Sequence, residues 1–174
     1  MKLEHLQKEV LLLPFMQIAS GHHHVANTLV SELQQCSTTW NCHKVDILSY
    51  SFGTMEKMVS TAYLSWIKRF PNVYHWLYYR LAYKKKTRRY HQRYYLYETL
   101  FMYYFKRLIH EKKPSILFFT HSLPSNMASV LKQKNQLQAL TINVYTDFFV
   151  NHLWGINGID FHFAPSMTVK HELM

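Results

Sequence analysis

Apolar and polar positions along this chain fall into blocks with two different periods. Val10–Ile18 is an almost unbroken apolar run, read as a first strand. Val25, Ala26, Leu29, Val30 and Leu33 then recur at helical spacing and predict a helix reaching about Gln35. Val45–Leu48 reads as a short second strand. Met55–Phe70 carries Met58, Ala62 and Trp66 along one side and reads as a helix ended by Pro71. Tyr74–Tyr83 and Tyr94–His110 read as helices, Ile116–Phe119 as a strand and Asn126–Lys134 as a helix. Leu140–Tyr145 and Phe161–Phe163 complete the strands, and a last helix starts near Ser166. Strand alternating with helix predicts an α/β domain: a Rossmann-like parallel sheet flanked by helices. The continuous run Ile116–Phe119 suits a strand buried on both faces.

Two stretches carry candidate chemistry. Ser20-Gly21-His22-His23-His24-Val25-Ala26 joins the first strand to the first helix. In an open α/β sheet such a loop faces the crevice where ligands bind. The helix start also favours negative or developing negative charge. The second stretch is Thr146-Asp147-Phe148-Phe149-Val150-Asn151-His152-Leu153-Trp154.

Together these stretches resemble the N-terminal domain of the monogalactosyldiacylglycerol synthase and processive diacylglycerol glucosyltransferase family, two-domain GT-B lipid glycosyltransferases. The first matches that family's glycine–histidine loop through Ser20, Gly21, His22, Val25, Ala26 and Leu29. The second matches its T-D…H-x-W pattern through Thr146, Asp147, His152 and Trp154, followed by Asp160, Phe161, Phe163, Ala164 and Pro165. Thr120-His121, after Ile116–Phe119, is a weaker echo of a histidine at a strand end. The neighbouring His23 and His24, and a single glycine in the loop, depart from the pattern.

The resemblance implies the acceptor half of a GT-B enzyme that moves a hexose from a UDP-sugar to diacylglycerol. It implies His22 as catalytic base, because an imidazole titrates near neutral pH and can take the acceptor's hydroxyl proton. Asp147 is the second catalytic candidate, either orienting an imidazole or contacting the acceptor; a turn or cap role is the equal alternative. Gly21, His121, His152 and Trp154 are the substrate-binding candidates, with the indole as an apolar wall. At 174 residues the chain fits one domain, 1–174, and the resemblance places nucleotide-sugar binding in a C-terminal domain outside it. The isolated chain is then expected to bind UDP-sugar poorly and to transfer nothing. No cofactor is expected beyond that donor substrate.

Charge narrows the partners. The formal net charge of +10 favours anionic surfaces. Most of it gathers in residues 57–97, which contain no Asp or Glu, ten Lys or Arg and twelve aromatic residues. Trp66, Trp76, Lys84, Lys85, Lys86, Arg88 and Arg89 are therefore the candidates for contact with anionic membrane lipid. Core aromatics with a solvated basic face are the plain alternative. Interleaved Arg and Tyr also suit RNA, but no recognition-module motif accompanies them. A non-catalytic module binding membrane or RNA is accordingly the rival function. The first residues do not read as a signal peptide, and Val10–Met16 is too short to span a bilayer. The expected location is cytoplasmic and peripheral on the inner membrane face. Cys36 and Cys42 read as free thiols, and the 12 histidines lack zinc-site spacing, so no metal is expected.

Overall fold

The structure is a computed structural model and describes residues 7–15, 20–79 and 95–174. Five parallel strands form one sheet in the order β2-β1-β3-β4-β5. They are β1 (Lys8–Leu13), β2 (Trp40–Lys44), β3 (Ile116–Phe119), β4 (Leu140–Val144) and β5 (Phe161–Phe163). The helices are α1 (Gly21–Cys36), α2 (Ile47–Phe52), α3 (Glu56–Arg69), α4 (Pro71–Tyr78), α5 (Tyr95–Lys112), α6 (Ser122–Gln133) and α7 (Met167–Leu173). This is the α/β, Rossmann-like arrangement that the alternation predicts.

Alternate strand residues go to opposite faces. Val10, Leu12, Cys42, Phe118 and Ile142 form one layer, against Leu29, Val30 and Leu33 of α1. Leu11, Leu13, Leu117 and Phe119 form the other, with Phe101, Phe105 and Leu108 of α5 and Leu123, Met127 and Leu131 of α6. The central strands are apolar at consecutive positions because both faces are covered.

Several expected boundaries move, each for a local reason. β1 stops at Leu13 because Pro14 has no N–H for the ladder. Residues 45–48 are not a strand: β2 lies earlier, at Trp40–Lys44, and Asp46 opens α2. The Asp46 carboxylate accepts from Leu48 N–H at 2.8 Å and Ser49 N–H at 3.3 Å, turning an apolar run into a capped helix. Pro71 ends α3 and also starts α4 from its first position, where a missing N–H costs nothing. α6 begins a turn before Asn126, because His121 caps it through Nδ1, accepting from Leu123 N–H at 3.1 Å.

The stripe expected on α3 faces outward. Met58 is 62% exposed, Ala62 is also exposed, and Trp66 is half-buried against Tyr74. On α4, Val73 and Trp76 are exposed. The run Lys84, Lys85, Lys86, Arg88 and Arg89 lies outside the described residues. Among the described residues no helix is long and apolar enough to cross a membrane. Cys36 is exposed, Cys42 is buried, and both are free thiols.

Candidate functional site

In a doubly wound sheet the chain leaves in opposite directions on either side of the point where strand order reverses. Here that point falls between β1 and β3, which pair from Val10↔Ile116 to Leu13↔Phe119. In open sheets of this kind ligands bind beyond the carboxyl ends of the strands at that point. The loop after β1 delivers the first turn of α1 there, and the residues after β3 and β4 deliver Thr120, His121, Thr146 and Asp147.

These residues meet. Nδ1 of His22 lies 2.6 Å from Oγ1 of Thr146, a hydrogen bond across 124 positions of sequence. The His22 and His121 rings stand edge to face with centroids 5.0 Å apart. Phe15 closes the other side of His121, its ring centroid 4.9 Å away. His23 points sideways, its Nε2 3.5 Å from Oδ2 of Asp46 at the start of α2. Adjacent histidines on one helical turn thus serve different neighbours.

Burial keeps His121 neutral. Desolvation, with the nearby imidazoles of His22 and His23 adding to it, pushes its pKa down to about 3. Its Nδ1 accepts the Leu123 N–H, so the ring proton sits on Nε2. Beside it Thr120 is fully buried, and its hydroxyl oxygen has no hydrogen-bond partner among the described residues.

Thr146 is held from behind. Tyr145 is buried, its hydroxyl within 3.2 Å of Asn143 Nδ2 and 3.0 Å of His162 Nδ1, and its N–H donates to Phe163. Burial pushes the Tyr145 phenol up to about 12, so it stays protonated. Trp154 is 6% exposed and packs on Tyr145, ring centroids 4.5 Å apart. That indole belongs to the same buried cluster as Tyr145. Gly155 follows it because nothing larger fits: a Cβ there would stand 2.4 Å from the Ser125 carbonyl oxygen. The Gly155 carbonyl accepts from Asn143 and Ser125.

Of the residues expected at the site, His22 and His121 come together. Gly21 starts α1 beside them. Asp147 is half-buried and His152 exposed, and neither makes a hydrogen bond or ion pair among the described residues. The partner of the His22 imidazole is Thr146 rather than Asp147. Thr146 was visible in the sequence only as the start of a motif. Asp46, Asn143 and Gly155 gave no signal there, since their roles depend on strands that pair at long range. Asp160 accepts from Thr141 N–H and Oγ1 and from Lys132 Nζ, the last at 2.7 Å, and these bonds hold its carboxyl below the usual range against the opposing effect of desolvation. It therefore serves the β4–β5 junction. Among the described residues no cluster of His, Cys, Asp or Glu has the arrangement of a metal site.

A five-stranded parallel sheet flanked by helices, with imidazoles gathered at its switch point, defines a domain of the Rossmann-like class. Residues 22–174 match the Monogalactosyldiacylglycerol (MGDG) synthase family, and the chain belongs to that family. It is also 44% identical over 167 residues to the uncharacterized glycosyltransferase YkoN of Bacillus subtilis (strain 168). That alignment covers 96% of this chain and 43% of the relative. No solved structure matches the chain significantly.

Proposed function

We propose that this chain is the acceptor-binding part of a glycosyltransferase that moves a hexose from a UDP-sugar to the hydroxyl of diacylglycerol at a membrane surface. The observation that carries this reading is the convergence of His22, His121 and Thr146 at the carboxyl ends of β1, β3 and β4. As the acceptor oxygen attacks the anomeric carbon it must lose its proton. His22 is the group at the crevice suited to take it, on a ring held in place by Thr146. His121, neutral and carrying its proton on Nε2, offers a hydrogen-bond donor without adding charge. Gly21 leaves the start of α1 bare, so a phosphate or sugar oxygen can approach the backbone N–H groups closely.

The membrane part of the reading rests on α3 and α4. Met58, Phe70, Val73, Trp76 and Tyr79 are all at least half exposed, and they lie within the acid-free basic stretch. Aromatic bodies with basic neighbours suit a headgroup boundary.

The test is a graft. This chain replaces the 167 aligned residues of the B. subtilis relative, and sugar transfer from UDP-hexoses to diacylglycerol in vesicles is followed. Transfer should appear, and His22→Ala should lower kcat by about 10²–10⁴-fold. Transfer unaffected by His22→Ala would remove the base from this reading. Transfer only to a water-soluble acceptor would remove the lipid.

A further inference from the structure

His22 has two ring nitrogens, and only one can carry the proton while the ring is neutral. Which one decides what the ring can do. With the proton on Nε2 the outer edge of the ring donates a hydrogen bond. With the proton on Nδ1 that outer nitrogen holds a lone pair and accepts. The Thr146 hydroxyl contacts Nδ1 at 2.6 Å, and a hydroxyl can either donate or accept there.

We propose that Thr146 is the positioning residue of this site: its oxygen accepts the Nδ1–H of His22 and so fixes the tautomer whose lone pair is on Nε2. This rests on the reading of His22 as a proton acceptor, because only that tautomer can take a proton at Nε2.

The contact is built to be fixed. On one side, Tyr145 is anchored through Asn143, His162 and the Phe163 carbonyl, so Thr146 leaves the sheet from a set point. On the other, Ala26 is fully buried one turn beyond His22, and the His24 N–H donates to Ser20 at 3.1 Å. The two ends of the hydrogen bond therefore belong to packed elements, and the ring's edge-to-face contact with His121 limits its rotation. His121 provides the contrasting case within the same crevice. Its Nδ1 accepts a backbone N–H, so its Nε2 carries the proton. The pair then presents one lone pair and one N–H, and a sugar-acceptor hydroxyl needs both: one group to receive its proton, one to donate to its oxygen.

Nitrogen-15 NMR of the imidazoles in this chain, above the histidine titration range, reads the tautomers directly. The His22 signals are assigned by their loss in His22→Gln. In the wild type His22 should be mainly Nδ1-protonated and His121 mainly Nε2-protonated. Thr146→Val should shift the His22 tautomer ratio by about 5–10-fold toward Nε2–H, the size set by one modest hydrogen bond. Thr146→Ser should restore it, and His121 should stay unchanged in every variant as the check that the fold is intact. If Thr146→Val unfolds the chain, Thr146→Ala is read in its place, with the same shift expected. A wild-type His22 already protonated on Nε2 would overturn the proposal, as would a ratio that Val or Ala leaves unmoved while His121 reports a native fold. These tautomers are read without sugar transfer, so their failure is separate from a failure of His22→Ala to affect activity in the graft.

Discussion

Asp46 joins two helices through one carboxylate. Oδ1 accepts the Leu48 and Ser49 N–H groups at the start of α2, while Oδ2 lies 3.5 Å from Nε2 of His23 in the first turn of α1. Asp46→Ala should cost about 1–2 kcal/mol in urea unfolding, the upper part of the usual range for a lost N-cap, because the site is buried. Asp46→Asn retains the capping oxygen and should recover most of that. If Ala and Asn behave alike, the cap is not what the residue contributes.

Gly21 sets stability against function. A methyl group there would touch nothing within 4 Å, and its backbone angles are not of the kind reserved for glycine. Gly21→Ala should therefore stabilise the fold by about 0.4–1 kcal/mol, by narrowing the unfolded chain's freedom at the head of α1. If a ligand approaches the backbone at this point, the same methyl should lower sugar transfer in the graft. A variant more stable and equally active would mean that nothing docks closely at Gly21.

His121 makes stability depend on pH. Its folded pKa of about 3 lies below the ordinary imidazole value of 6.5. Above pH 6.5 both folded and unfolded forms are neutral and the full stability is present. Between pH 6.5 and 3 the unfolded chain binds a proton that the native ring refuses, so stability falls as pH falls. His121→Asn can still cap α6 and cannot titrate. It should flatten the loss between pH 7 and 4.5 by on the order of 2 kcal/mol in urea titrations. His162, whose pKa burial also lowers, adds a slope of the same sign that the variant leaves in place. Equal slopes in the two proteins would refute the assignment.

Vesicle sedimentation tests the basic stretch. Changing Lys84, Lys85, Lys86, Arg88 and Arg89 to Ser should weaken binding to vesicles containing anionic lipid and remove its salt sensitivity. Trp76→Ala should weaken binding at every salt concentration, since it removes exposed apolar surface rather than charge. Equal binding to neutral and anionic vesicles at low salt would count against a membrane role for the charge.

The sheet was legible because apolar runs and their periods are local properties. Ile116–Phe119 and Phe161–Phe163 have the bounds that the pattern assigns. Val45–Leu48 misled because one capping aspartate outweighs a short apolar run. At the site, His22 could be singled out from its place in a glycine–helix start. Its partner could not, because the bond to Thr146 exists only once β1, β3 and β4 are in register. The burial of Trp154 against Tyr145 was likewise not legible, because that contact depends on how the second stretch folds back on β4.

The pairing of β1 with β3 has a further consequence. Val10 and Ile116 are neighbours in the sheet, and Leu12 pairs with Lys44, so the end of β2 and the start of β3 are pinned to the same central strand. Closing a loop becomes only slowly more costly as it lengthens, about 0.6 kcal/mol for each doubling. Changes of length between these two pinned ends should therefore carry a small thermodynamic cost. Such changes leave the pairing of β1 with β2 and β3, and so the place where the His22 loop emerges, as it is.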